Sequence, residues 1–224
     1  MFKRLGVLLA GLMLASIACA DEVAAPAAPA AWEAGKNYFV IDPPQPTSSG
    51  DKVEVLEVFS YACSHCANFQ PYAEQLKKSL PAYASFDYMP AIFNAQWEPY
   101  ARAYYTAQSL GVLDATHQAL FDALHRDHTP IRTVDDLATF YSQHGVERAK
   151  FLGASGSFEV ESKLSRSMQI VRDAGVDGTP TLIVNGKYRT SGATAGGYAQ
   201  MVELVGWLVA KEHAGDAAKP AKAK

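Results

Sequence analysis

The sequence predicts an α/β fold in which one α/β domain is assembled from both ends of the chain and an all-helical domain is inserted between the halves. Three observations predict it. β-prone runs occur at Val53–Phe59 and Phe86–Ile92 and return at Thr181, yet strand signals nearly vanish from Trp97 to Ala174. That middle stretch instead repeats apolar residues at spacings of three and four, the period of an amphipathic helix. Finally, Cys63-Ser64-His65-Cys66 lies where a strongly apolar strand gives way to a helix-like segment.

The chain has 224 residues, enough for one large domain with a sizeable insertion, and its 49% apolar content can fill a core. A net charge of -3 without a basic stripe argues against nucleic acid as a partner. Lys3 and Arg4, the apolar stretch Leu5–Ile17 and the small residues of Ala18-Cys19-Ala20 read as a signal peptide over residues 1–20, cleaved before Asp21. Lipidation at Cys19 is the lesser alternative, because Ser16 replaces the leucine usual in such signals. Residues 21–35 are an Ala/Pro-rich flexible spacer.

Tyr38–Ile41 is a short β-prone run ended by Pro43, Pro44 and Pro46, and Val53–Phe59 reads as a central strand. Phe69, Tyr72, Leu76 and Leu80 give a helix that stops at Pro81. Helices are expected over Tyr100–Leu110, from Asp114 through Leu124, from a capping box at Thr133 to Gly145, briefly over Val146–Leu152, and over Phe158–Ala174 with Gly175 closing it. Thr181–Val184 and Tyr188–Thr190 flank Asn185-Gly186, a strong hairpin signal. Tyr198–Lys211 is an amphipathic helix, and residues 213–224 form an Ala/Lys/Pro tail expected to be disordered.

The cysteines carry the chemistry. Of three in the chain, Cys19 belongs to the signal, so an exported domain retains only Cys63 and Cys66. Exported proteins ordinarily use cysteines to staple distant segments, and no distant partner exists here. So small a loop adds little stability, which favours a chemical role over a structural one. At a helix N-terminus, unpaired N–H groups and the macrodipole favour a thiolate at Cys63, and His65 adds a donor. Cys63 is then the residue that forms a mixed disulfide with substrate, and Cys66 resolves it. Stabilising the thiolate stabilises the reduced form, so the disulfide form oxidises other proteins. Zinc is a weaker reading, since two cysteines supply only half a site. Of the six histidines, His117, His125, His128 and His144 fall in the helical block without ligand spacing and read as solvated surface residues. No metal and no cofactor are expected.

A second stretch, Val176-Asp177-Gly178-Thr179-Pro180-Thr181, precedes a strand. Pro180 can adopt the cis form there, leaving the Thr179 backbone free to pair with a passing peptide. Along Val53–Phe59, Glu54 and Glu57 have opposite parity, and Glu57 shares the inward face of Val55 and Phe59. A buried carboxyl there has a raised pKa and can carry protons.

Phe59-Ser60-Tyr61-Ala62-Cys63-Ser64-His65-Cys66, followed far downstream by Gly178-Thr179-Pro180-Thr181, resembles the thioredoxin-fold disulfide oxidoreductases of the DsbA type. The resemblance spans roughly Tyr38 to Lys211. It implies a thioredoxin fold made of residues 36–95 and 175–212 with residues 96–174 as helical insertion. It also implies a monomeric periplasmic oxidase that acts on reduced, unfolded exported proteins and is reoxidised by a DsbB-type, quinone-linked inner-membrane partner. On the same grounds Pro180 is cis and lies against the cysteines, with Thr179 before it, and Glu57 serves proton transfer to the buried thiol. Two departures stand out: Ser64 occupies a position where well-known members carry proline, and Ala84–Pro90 contains no lysine to partner Glu57. A disulfide isomerase or reductase on the same scaffold, and a peptide-binding chaperone whose cysteines are inert, are the alternatives.

Overall fold

The computed structural model describes residues 32–217. The expected signal, Cys19, most of the spacer and the last residues of the tail lie outside them. A five-stranded sheet has the order β1-β5-β4-β2-β3, from β1 (Phe39–Val40), β2 (Val53–Phe59), β3 (Ala84–Pro90), β4 (Thr181–Val184) and β5 (Tyr188–Ser191). β2 runs parallel to β3 and antiparallel to β4, so the two chain ends meet at the centre of the sheet.

The composition of β2 explains its place. Valine and phenylalanine fit a strand covered on both faces, and every residue but Leu56 is buried. On one face Val55, Leu182 and Val184 pack against α1 (Ser64–Ser79) and α8 (Tyr198–Ala217) through Phe69, Ala73, Leu76, Leu204 and Leu208. On the other face Val58 and Ile183 meet Ile170, Val171 and Ala174, at the end of α6 (Phe158–Asp173).

Between β3 and β4 lie α2 (Glu98–Ser109), α3 (Leu113–His125), α4 (Val134–Gln143), α5 (Arg148–Ser155) and α6. The capping box opening α4 is present, with Thr133 and Asp136 bonding each other's backbone. Arg102 ties α2 to the α5–α6 junction, reaching Glu98, Glu161 and the Ser155 carbonyl. The core of this helical block is continuous with Phe59, Tyr61, Cys63 and Cys66, so the insertion packs directly on the cysteine-bearing segment.

Two local features differ from expectation. α8 continues through His213 to Ala217, into the segment that composition assigns to a tail. His213 stacks on Tyr83 at 3.7 Å, and Glu212 accepts from Asn185 and Lys187, so tertiary contacts hold residues of weak helical pattern. A short helix, α7 (Gly192–Ala195), follows β5 without a periodic signal in the sequence, being four residues long.

At the β4–β5 turn Asn185 and Gly186 both take left-handed backbone angles, 51° and 65°. Gln45 donates its N–H to the Gly186 carbonyl at 2.8 Å, and a Cβ on Gly186 would lie 2.0 Å from the Gln45 carbonyl oxygen. Gly186→Ala therefore meets both a steric wall and an unfavourable backbone angle. It is expected to lower the urea-unfolding free energy by roughly 2–4 kcal/mol.

Candidate active site

β2 ends at Phe59, a turn through Ser60–Ala62 follows, and Cys63 is the N-cap of α1. The Cys63 carbonyl accepts from the N–H groups of Cys66 and Ala67, both at 3.1 Å, while the Cys63 N–H donates to Ser60. Both cysteines are free thiols and buried, Cys63 with 8% exposure and Cys66 with none.

The two sulfurs differ sharply in acidity. The Cys63 thiol falls from the usual 9.0 to about 5. A hydrogen bond from the Cys66 thiol is the main cause, working against burial, and Thr179 and the N–H groups of Cys66 and His65 assist. Cys66 is pushed far up, first by burial and then by the neighbouring Cys63 and Glu57. As a thiol, Cys63 donates to the Thr179 carbonyl at 3.5 Å across 116 positions of sequence.

The Thr179–Pro180 bond is cis, as is Asp42–Pro43. The loop before Pro180 is held by Thr181 Oγ1, which donates to the Gly178 carbonyl at 2.8 Å. Beside it opens a groove of about 780 Å³ lined by His65, the Asp177–Thr181 loop, small residues of the β5–α8 connection, and Tyr198. Tyr198 donates to the His65 carbonyl at 3.2 Å. Thus His65 reaches the Cys63 sulfur through its backbone N–H and also lines the groove.

Glu57 is fully buried beneath the cysteines, and neither carboxyl oxygen has a hydrogen-bond partner among the described residues. Burial raises its pKa well above the usual carboxyl range; Lys77 opposes this and Cys63 reinforces it. The cation that acts on Glu57 is Lys77, and it acts at a distance: its Nζ pairs with Glu74 at 3.0 Å and not with Glu57. It comes from α1, with its Nζ 4.5 Å from the centre of the Tyr88 ring, and Tyr88 is the register partner of Glu57. Glu54 is buried as well, but Ser48 satisfies it through both N–H and hydroxyl.

Two histidines expected on the surface belong here instead. His117 is buried among the rings of Phe59, Tyr61, Tyr88 and Phe121. Its Nδ1 lies 2.7 Å from the Tyr61 hydroxyl, and burial lowers its pKa to about 3, so it is neutral. His125 Nε2 donates to the Tyr61 carbonyl at 2.7 Å. α3 therefore grips both ends of Tyr61, two residues before Cys63. The sequence carried the signal for His117: it falls in helical phase with Leu113, Leu120 and Phe121. His128 lies beyond α3 with a left-handed angle of 52°, so it shares no helix face with His125.

Two pH effects follow. Cys63 sits below its ordinary value, so its contribution to stability of the dithiol form is complete above pH 9, amounts to about 3 kcal/mol at pH 7, and is lost as pH falls through 5. The thiolate absorbance of reduced protein is expected to titrate near pH 5, and the stability gap between reduced and oxidised forms to close over the same range. Glu57 has the opposite sign: its raised pKa penalises the fold as pH rises above the usual carboxyl value of 4.5. Glu57→Gln is expected to stabilise the protein by about 1–3 kcal/mol at pH 7 and by almost nothing at pH 4, measured by denaturant titration at both values.

A family model described as a DSBA-like thioredoxin domain matches residues 85–200. The thiol:disulfide interchange protein DsbA of Pseudomonas aeruginosa strain PAO1 is 35% identical over 183 residues, which cover 82% of this chain and 87% of that protein. The crystal structure of Pseudomonas aeruginosa DsbA superposes with a TM-score of 0.78 at 34% identity, covering 83% of this chain and 97% of the other. A DsbA structure from Proteus mirabilis, solved with a non-covalently bound peptide, gives a TM-score of 0.68 at 26% identity over 80% of this chain and 99% of its own. With a thioredoxin fold, a helical insertion and paired cysteines of unequal acidity, the chain belongs to the DsbA family of thiol:disulfide oxidoreductases.

Proposed function

We propose that this oxidoreductase works in the oxidising direction, passing the Cys63–Cys66 disulfide to reduced, unfolded exported proteins in the periplasm. The observation that carries this is the acidity gap between the two thiols at one helix N-terminus. A substrate thiolate attacks Cys63 Sγ in the disulfide. The S–S bond breaks, and the electron pair leaves on Cys66. Cys66 is buried and intolerant of charge, so it takes a proton, and neutral Glu57 beneath it is the donor. A second substrate thiolate then attacks the substrate sulfur of the mixed disulfide. Cys63 leaves as a stable thiolate, and the substrate's two electrons stay in the enzyme's dithiol.

The Thr179 carbonyl beside Cys63 Sγ and the groove next to it suit an extended peptide, and the peptide complex of the Proteus relative supports that use. The signal-like N-terminus supports export. Return to the disulfide needs an acceptor of two electrons, supplied on this reading by a DsbB-type membrane protein linked to quinone.

The oxidised protein is expected to oxidise a reduced, unfolded disulfide protein rapidly while reducing insulin slowly. Cys63→Ser should abolish the oxidation, and Cys66→Ser, whose Cys63 thiolate can attack a substrate that already carries a disulfide and release one of its thiolates, should accumulate the mixed disulfide with that oxidised substrate. Fast insulin reduction with slow oxidation would instead mark a reductase, and inertness in both that Cys63→Ser leaves unchanged would mark a binding protein.

A further inference from the structure

α3 meets Tyr61 at three successive points along one face. His117, Phe121 and His125 follow one another at intervals of four, so they stand in a row on the helix. The Tyr61 hydroxyl lies 2.7 Å from His117 Nδ1, its ring packs on Phe121 with centroids 4.9 Å apart, and its carbonyl accepts from His125 Nε2 at 2.7 Å. The tyrosine is fully buried and lies lengthwise along this row. Within the turn, Ser60 makes the local bonds: its hydroxyl accepts from the Ala62 N–H at 3.2 Å and its carbonyl from the Cys63 N–H at 3.0 Å. Tyr61 is where the turn is tied to the inserted helices.

We infer that His117 and His125 are positioning residues for the thiol–disulfide chemistry: by holding the two ends of Tyr61 they fix the turn between β2 and α1, and with it the place of Cys63 Sγ between the first N–H groups of α1 and Thr179. The inference rests on the reading of Cys63 as the sulfur that meets substrate. Three physical points carry it. Packed rings can slide, whereas a hydrogen bond weakens steeply with distance and angle, and here two of them grip opposite ends of one residue two positions before Cys63. A histidine is unfavourable to bury among aromatic rings, and an apolar side chain would fill the same space. His117 Nε2 finds no partner among the described residues, so the bond to Tyr61 is what its imidazole adds there. Finally, the groups around Cys63 Sγ come from two separate parts of the chain, α1 and the loop before Pro180, so its setting depends on where the turn sits. A looser turn serves the thiolate less well, which makes Cys63 less acidic and the disulfide less oxidising. A loss the size of one ordinary hydrogen bond is a factor of roughly threefold to tenfold.

The test compares full-length wild type with Tyr61→Phe, His117→Leu, the double variant Tyr61→Phe/His117→Leu, His125→Leu and His125→Gln. Each is read for the pH midpoint of thiolate absorbance in the reduced protein, the redox equilibrium constant with glutathione, and stability to urea. Removing either grip should raise the proton affinity of Cys63 about threefold to tenfold and move the glutathione equilibrium toward the disulfide form by the same factor. Tyr61→Phe and His117→Leu each strand a buried polar partner, so each should also lose stability. The double variant strands neither, so it should regain stability while Cys63 stays as weakly acidic as in the single variants. His125→Gln, whose amide can still donate to the Tyr61 carbonyl, should match wild type, and His125→Leu should not. Wild-type acidity of Cys63 in the double variant or in His125→Leu, or acidity that merely follows stability across the set, would overturn the positioning role. A wild-type protein with no thiolate titrating near pH 5, or with a titration that survives Cys63→Ser, would instead overturn the reading of Cys63 on which it rests.

Discussion

A single contact organises the molecule: Cys63 Sγ held between the first N–H groups of α1 and Thr179, the residue before Pro180. Every large element can be placed by what it does for that contact. β2 delivers Cys63 to the top of the sheet, and α1 supplies the N–H groups. β4, hydrogen-bonded to β2, carries Thr179 and Pro180 to the same edge. The acidity that results belongs to the assembly and not to the tetrapeptide. Of the groups that lower the Cys63 pKa, Thr179 comes from the far end of the chain, and the Cys66 thiol is aimed by the helix.

The insertion participates through Tyr61. Its hydroxyl meets His117 and its carbonyl meets His125, so α3 fixes the turn that leads from β2 into α1. The surrounding rings of Phe59, Tyr88 and Phe121 bury this linkage and keep His117 neutral. A helical block that only shielded the cysteines would need no such polar grip. Glu57 and Lys77 show the other side of the design. A carboxyl without a hydrogen-bond partner is costly in a core, and this one lies close enough to Cys66 to push that thiol's pKa further up.

Much of this was readable from residues alone. Alternation and period separated the sheet from the insertion, because apolar spacing is a direct image of what each element buries. Asn185-Gly186 marked its turn by the same logic, since few other residues tolerate two left-handed angles in succession. What escaped was placement across the fold. The cation that acts on Glu57 is Lys77 of α1 and not a residue of the adjacent strand, because helix packing sets its position. His117 reads as a surface residue by its chemistry, although its helical phase puts it among core positions. The end of α8 escaped for a related reason: its last turns are held by Tyr83 and the β4–β5 turn and not by their own propensity.

The split of the α/β domain around its insertion carries a consequence for timing. Ribosomes release the N-terminus first, so β2, Cys63 and Cys66 emerge well before β4 exists. Until residues around Thr179 arrive, β2 lacks its antiparallel neighbour and Cys63 lacks one of the groups that lower its pKa. A half-made chain therefore carries a Cys63 acidified only from within its own helix, by the Cys66 thiol and the N–H groups of His65 and Cys66. The full acidity of Cys63 is withheld until the last third of the polypeptide has taken its place in the middle of the sheet. Completion of the fold is in that sense the safety catch on its chemistry.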